Sequence, residues 1–275
     1  MPSSPLQRLQ SLGQSVWLDF IDRSMLNSAC LPALLEKFGI TGITTNPKIF
    51  SDAILAGGLY KEDILRAARE GLGAKATYER LAIEDVRRAA GLLRGIYDRT
   101  ESGDGYVSLE VSPGLAYDTE GTVREAHSLW SRLETPNILV KIPATRQGLP
   151  AVRQMISDGI SVNATLLFSV DRYRLVAEAY IAGLEARLAE GKPVGRVHSV
   201  ASFFVSRIDA LVDPRLTMAD SRGKVALACA RLAYQAWKEL FGGERFRRLE
   251  RHGARPQRLL WASTSPKDPS LSDLT

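Results

Sequence analysis

The chain has 275 residues, 45% hydrophobic and 24% charged, which suits a globular protein of one large domain or two small ones. A net charge of +5 with 7% aromatic residues, and no stripe of aromatics among the basic ones, favours anionic small molecules and argues against a nucleic-acid partner. Cys30 and Cys229 are the only cysteines, no Cys/His cluster has metal-ligand spacing, and no apolar run approaches the roughly 18 residues of a membrane span. No metal and no membrane partner are therefore expected.

Both cysteines read as small core residues of a reducing compartment. The opening residues lack the charged and apolar segments of a secretory signal, so the expected location is the cytoplasm.

Taken in order, residues 5–12 read as a lead-in helix and residues 16–20 as a strand, with Asp19 at its carboxyl end. A helix is expected over 24–38, stopped by Gly39. A strand from residue 40 then runs into a turn at Asn46, with Pro47 opening the next helix. Residues 48–100 read as helices only, near 48–56, 60–71 and 76–98, a helical insertion between strands. A strand at 106–111 and a helix at 119–133 follow.

The run Asn137-Ile-Leu-Val-Lys-Ile-Pro-Ala-Thr145 has the apolar, β-branched character of a buried strand. Lys141 interrupts it. Burying an ammonium costs several kcal/mol unless it loses its proton or gains a partner, and a neutral amine is a nucleophile toward carbonyls. The plainer reading is a strand-end lysine that reaches solvent.

Beyond it come a helix near 147–158, a strand at 160–167, and a helix from an N-cap at Ser169 to about Ala189. A strand at 197–203 and a short helix at 205–212 follow. A long helix over 222–241 is expected to bury Val225, Ala228, Cys229, Leu232 and Ala236, and residues 258–263 form the last strand. The mixed-charge run at 244–253 reads as a solvated helix end, and His127, His198 and His252 match no motif.

Seven alternations of strand and helix argue a parallel α/β sheet, and seven strands favour a (β/α)8 barrel over an open doubly wound sheet. No glycine-rich fingerprint or Walker sequence is present, so no nucleotide cofactor is expected. Polar residues close otherwise apolar strands: Asp19, Thr44 and Asn46, Glu110, Lys141, Asn163 and Thr165, Ser202, and Ser263. Period-2 alternation turns them to one face, and the carboxyl ends of the strands are where such barrels carry their sites. Taken singly, an Asp, Asn or Ser at a strand end is a cap or turn former. A lysine with two carboxylates is what imine chemistry requires.

Most of these residues fall in segments that resemble the transaldolase family, in its longer bacterial, Schiff-base-forming type. Gly42-Ile-Thr-Thr-Asn-Pro47 resembles one family signature, and Val140-Lys-Ile-Pro-Ala-Thr-Arg-Gln-Gly-Leu149 resembles the one that carries the imine lysine. Asn163-Ala-Thr-Leu-Leu-Phe-Ser169, Ser202-Phe-Phe-Val-Ser-Arg207 and Leu260-Trp-Ala-Ser-Thr264 are similar to later segments, in the family's order.

The resemblance implies a transferase of the pentose phosphate pathway. It moves a dihydroxyacetone unit from a ketose phosphate of the sedoheptulose 7-phosphate type to glyceraldehyde 3-phosphate, with no cofactor. It implies Lys141 as the imine-forming amine, Asp19 as the carrier of the hydroxyl proton, and Glu110 with Thr165 as proton handlers through a water. Asn46, Asn163 and Ser202 would hold the dihydroxyacetone hydroxyls and Arg207 the phosphate. Thr44 and Ser263 belong to the same substrate-binding group, and Lys267 is a second phosphate candidate.

The sequence departs from the family at Lys48, where a small residue is usual. It also departs after Ser263, where only 12 residues stand in place of the family's eighth β/α unit. The expectation is a single domain over 1–275 with a shortened carboxyl end. An aldolase of the fructose-6-phosphate type, releasing free dihydroxyacetone, and a catalytically inactive sugar-phosphate-binding fragment are the alternatives. The oligomeric state is left open, a homodimer included.

Overall fold

The computed structural model describes residues 4–56 and 58–265. Among them seven parallel strands follow sequence order in one sheet, β1 to β7, alternating with helices. This is the (β/α)8-barrel type of fold, with seven strands among the described residues. The chain divides into two compact units: Met1–Pro113 with Glu125–Val140, and Gly114–Arg124 with Lys141–Thr275.

The first unit opens with helix α1 (Pro5–Ser11), closed by a capping box between Ser4 and Gln7. Strand β1 (Val16–Leu18) is shorter than its apolar run, so Asp19 and Phe20 lie just past the ladder. The single helix expected next is two, α2 (Arg23–Asn27) and α3 (Cys30–Phe38). Ser28 is extended and its hydroxyl accepts from the Cys30 N–H. Pro32 has no N–H to give to a helix running on from residue 28 but fits the first turn of a new one. Cys30 is exposed and Cys229 half-buried, so neither is the core residue expected.

Gly39 ends α3 in the left-handed conformation, with φ of 67°. Strand β2 (Ile40–Ile43) pairs with β1. Gly42 is required there, because a Cβ would lie 2.2 Å from the Trp17 ring.

Helices α4 (Pro47–Ala56), α5 (Lys61–Arg69) and α6 (Ala74–Arg99) fill the segment expected to be helical. The core stripe of α6 is Leu81, Val86, Ala89, Ala90 and Leu93. A buried ionic group ties its middle to α2. Arg23 pairs with Asp63 and lies 3.0 Å from Asp85, whose other oxygen accepts from the Tyr60 hydroxyl at 2.8 Å.

Strand β3 (Tyr106–Glu110) pairs with β2, and helix α7 (Thr119–Leu133) follows. Strand β4 (Ile138–Pro143) begins in the first unit. There the buried Asn137 amide donates to the carbonyls of Ala90 and Gly105 at 2.9 and 2.8 Å.

In the second unit, just past the end of β4, the Ala144 N–H donates to the Thr165 carbonyl at 2.8 Å. Helix α8 (Gly148–Asp158), strand β5 (Val162–Leu167) and helix α9 (Val170–Ala189, capped by Ser169) follow. Gly183 of α9 lies against α8, where a Cβ would come within 2.7 Å of the Arg153 carbonyl and Ile156. Strand β6 (Ser199–Phe204) pairs with β5 and with the later β7.

Helices α10 (Ser206–Val212), α11 (Val225–Phe241) and α12 (Glu244–Glu250) lead to β7 (Arg258–Ala262). The buried face of α11 is Ala226, Ala230, Ala233 and Ala236, not the expected set, of which only Ala236 is buried. Small side chains let α11 pack closely on α9, while Leu232 points to solvent. The run from residue 244 is a helix of its own. Phe246 and Leu249 anchor it, and Arg245 pairs with Glu178 and Glu185.

His198 is buried beside β6, where desolvation, aided by the positive charges of Arg255 and Arg258, lowers its pKa from 6.5 to about 4. The folded state therefore resists protonation, and its stability is complete above pH 6.5 and declines as pH falls toward 4. Between pH 7 and 5 this residue is expected to remove about 2 kcal/mol. Urea unfolding at both values checks this: the loss should shrink in His198→Gln.

Candidate active site

The candidate residues are distributed over both units. In the first unit, Asp19 follows β1 and is exposed, and its carboxylate accepts a hydrogen bond from the Thr44 hydroxyl at 2.7 Å. Thr44 is itself buried just past β2, where its N–H donates to the Leu18 carbonyl at 2.8 Å. This backbone bond and the side-chain bond fix the carboxylate at the carboxyl end of two adjacent strands.

Thr45, next in the chain, is fully buried and donates to the Ser108 carbonyl at 2.6 Å, so the turn after β2 is also held by β3. Asn46 accepts from the Ile49 N–H at 3.0 Å. It is the cap of α4, as the plainer reading had it, and this bond uses its carbonyl oxygen and leaves the amide N–H groups directed elsewhere. Glu110 is the last residue of β3 and is half-buried. Lys48 is exposed and paired with Asp52 one turn along α4, at 2.9 Å.

In the second unit, Lys141 occupies a strand whose every residue is buried, and it is itself only 5% exposed. The alternative of a lysine reaching solvent from a strand end does not hold. Parallel strands covered on both faces are continuous apolar runs, and one amine inside such a run must either shed its proton or be partnered.

Asn163 and Ser202 are buried on the neighbouring strands β5 and β6, and the Ser202 hydroxyl donates to the Asn163 side-chain carbonyl at 2.7 Å. This sets the orientation of the Asn163 amide. The Thr165 hydroxyl is buried and has no hydrogen-bond partner among the described residues. Buried polar groups are nearly always partnered, so an orphan hydroxyl here calls for a partner such as a water or a substrate group.

Ser263 follows β7 with φ of 54°, and its hydroxyl lies 3.0 Å from that of Ser206. Its carbonyl accepts from the Ser206 N–H at 2.9 Å. Arg207 is exposed on the first turn of α10, with its guanidinium 5.0 Å from the centre of the Phe204 ring. Lys267 lies outside the described residues.

Sequence reasoning missed Thr45, Ser108 and Ser206, which support the candidate residues. Ser206 sits beside Arg207 in a segment already singled out, so the signal was present. The bond from Thr45 to Ser108 joins residues 63 apart in sequence and left no local sign. Among the described residues no group of three or more His, Cys, Asp or Glu is arranged to hold a metal ion, and no helix is long and apolar enough to cross a membrane.

A parallel β/α chain with a buried mid-strand lysine and polar side chains closing its strands defines a barrel-type enzyme. Comparison with known proteins refines the class to enzymes that transfer aldehyde or ketone residues. The model of the Transaldolase/Fructose-6-phosphate aldolase family matches residues 16–275, and the chain belongs to this family. It is 47% identical to the Transaldolase of Saccharopolyspora erythraea over 98% of this chain and 75% of that one. It is 48% identical to the Transaldolase of Thermobifida fusca at the same coverage. It is also 44% identical to Transaldolase 2 of Nostoc punctiforme, over its whole length and 76% of the relative.

The bond from Thr44 to Asp19 is open to a direct test. Thr44→Val keeps the shape and removes the donor. A hydrogen bond to a charged group contributes about 1.5–3 kcal/mol, so kcat/KM is expected to fall roughly tenfold or more. The melting temperature should change little, and unchanged turnover would remove Thr44 from the catalytic apparatus.

Proposed function

We propose that the chain carries out transaldolase transfer through an imine at Lys141, with phosphorylated sugars as substrates. The single observation that carries this reading is the burial of Lys141 within β4, in the segment that resembles the family's imine-forming signature. An amine shielded from water attacks a ketose carbonyl, and loss of water gives the imine, an electron sink that permits cleavage of the adjacent carbon–carbon bond.

Asp19 takes the proton of the hydroxyl next to that bond. The bond then breaks, an aldose phosphate leaves, and a three-carbon dihydroxyacetone unit stays on the lysine. An incoming aldose phosphate such as glyceraldehyde 3-phosphate is attacked by that carbon and takes the proton back from Asp19. Hydrolysis of the imine releases the new ketose phosphate. Thr44 holds Asp19 for both proton transfers. Glu110 and Thr165 move protons while the imine forms and hydrolyses, and the orphan Thr165 hydroxyl is in keeping with that work.

Asn46, Asn163 and Ser202 hold the hydroxyls of the dihydroxyacetone unit. The bond between Ser202 and Asn163 gives this pair one orientation before substrate arrives. Arg207 grips the phosphate through its planar guanidinium, with Lys267 as a second cation, and Ser263 lines the same group. The reading treats residues 1–275 as one catalytic domain and places it in the cytoplasm, in the non-oxidative pentose phosphate pathway.

Treating the protein with fructose 6-phosphate and borohydride, followed by peptide mass spectrometry, tests the core of the reading. The expected result is a reduced three-carbon adduct on Lys141 and none in Lys141→Met. Asp19→Asn should still form the imine but lose about 10²-fold or more in turnover, because proton transfer in the cleavage step is what it lacks. Product analysis should show transfer to the acceptor aldehyde. An adduct on another lysine would end the proposal.

A further inference from the structure

The helical segment between β2 and β3 carries a buried polar group that the mechanism above does not use. Tyr78 lies in the second turn of α6, and its hydroxyl oxygen is buried with no hydrogen-bond partner among the described residues. Its ring is held edge-on against Phe50 of α4, with centroids 6.3 Å apart and planes at 84°. Phe50 is fully buried, on the first turn after the Asn46 cap.

The start of α6 is clamped to the exit of β3. Lys75 pairs with Glu125, and the other oxygen of that carboxylate accepts from the backbone N–H of Ser112, two residues after Glu110. Tyr78 is three residues beyond Lys75, on the same side of the helix, and so faces the region where β3 ends. The charges that act on its hydroxyl are those of three carboxylates, Glu110, Glu125 and Glu79. Glu125 is engaged by Lys75 and Ser112, and Glu79 by Arg132 at 2.6 Å and Lys75 at 3.6 Å. Glu110, the last residue of β3, is the carboxylate whose charge bears most on the phenol.

We propose that Tyr78 is a positioning residue for Glu110, its hydroxyl donating to the Glu110 carboxylate during turnover. The proposal rests on the role given to Glu110 above. The phenol is suited to the task, because burial, reinforced by the charges of Glu110, Glu125 and Glu79, pushes its pKa up to about 12. It therefore stays a neutral donor across the working range. Glu110 ends its strand half-buried, and in this proposal its side chain turns to the phenol while its backbone stays in place. A hydrogen bond to the charged form favours the carboxylate, and its loss makes that carboxylate easier to protonate.

The test compares Y78F, E110Q and the double variant in the full chain, reading kcat/KM against pH, the rate of borohydride-trapped imine and the melting temperature. Y78F is expected to lower kcat/KM about tenfold and move the acid limb of the profile up by about one pH unit. Its melting temperature should stay the same or rise, since the lost hydroxyl had no partner. Added to E110Q, it should have no further effect. A Y78F profile that superimposes on the parent, an additive double variant, or a Y78F chain that fails to fold would each overturn the proposal. A crippled E110Q beside an unaltered Y78F would defeat this proposal alone. A fully active E110Q would remove the role of Glu110 itself, and the role of Tyr78 with it.

Discussion

Strand β4 is buried along its whole length, and Lys141 is the one ionisable side chain within it. A position of this kind is expensive, since an ammonium withdrawn from water loses several kcal/mol of hydration that the surroundings must replace. A structural role would be met more cheaply by leucine or isoleucine. The placement of the amine is thus the constraint from which the proposed chemistry follows, since a side chain buried in β4 is shielded from bulk water.

Those groups arrive already ordered. The Thr44 hydroxyl holds Asp19, the Ser202 hydroxyl holds Asn163, and Ser206 holds Ser263. In each case a short hydroxyl side chain bonds a candidate residue that lies in, or just past, another strand. Donors and acceptors set in advance need no reorganisation when charge develops, which is where such sites gain most of their rate. Asn46 has a structural task of its own, with its oxygen spent on the cap of α4 and its amide hydrogens uncommitted to that bond.

The helices between β2 and β3 do more than connect. The Lys75 and Glu125 clamp and the ionic group of Arg23, Asp63, Asp85 and Tyr60 pin α6 at its first turn and at its middle. Burial raises the pKa of Asp85 even though Tyr60 and Arg23 pull the other way, a sign of how fully that carboxylate is withdrawn from water. Long helices pinned at two points carry side chains to a strand end with little freedom, and Tyr78 is carried in this way.

Local pattern was enough for a large part of this protein. The β-branched runs, the Gly39 stop, the Pro47 start and the Ser169 cap act over a few residues, so strand and helix order could be read directly, as could the polar residue closing each strand. The break at Ser28, the alanine face of α11 and the exposure of Cys30 could not, because each depends on which neighbour an element meets. On α11 the large side chains suggested one buried face, and close packing on α9 selected the face made of alanines. Likewise the sequence determined that a lysine would stand inside a strand, with two carboxylates and several hydroxyls at or near the ends of others. Only the tertiary structure decided which of them touch, because a bond such as that from Thr44 to Asp19 joins strands whose pairing brings together residues 25 apart along the chain.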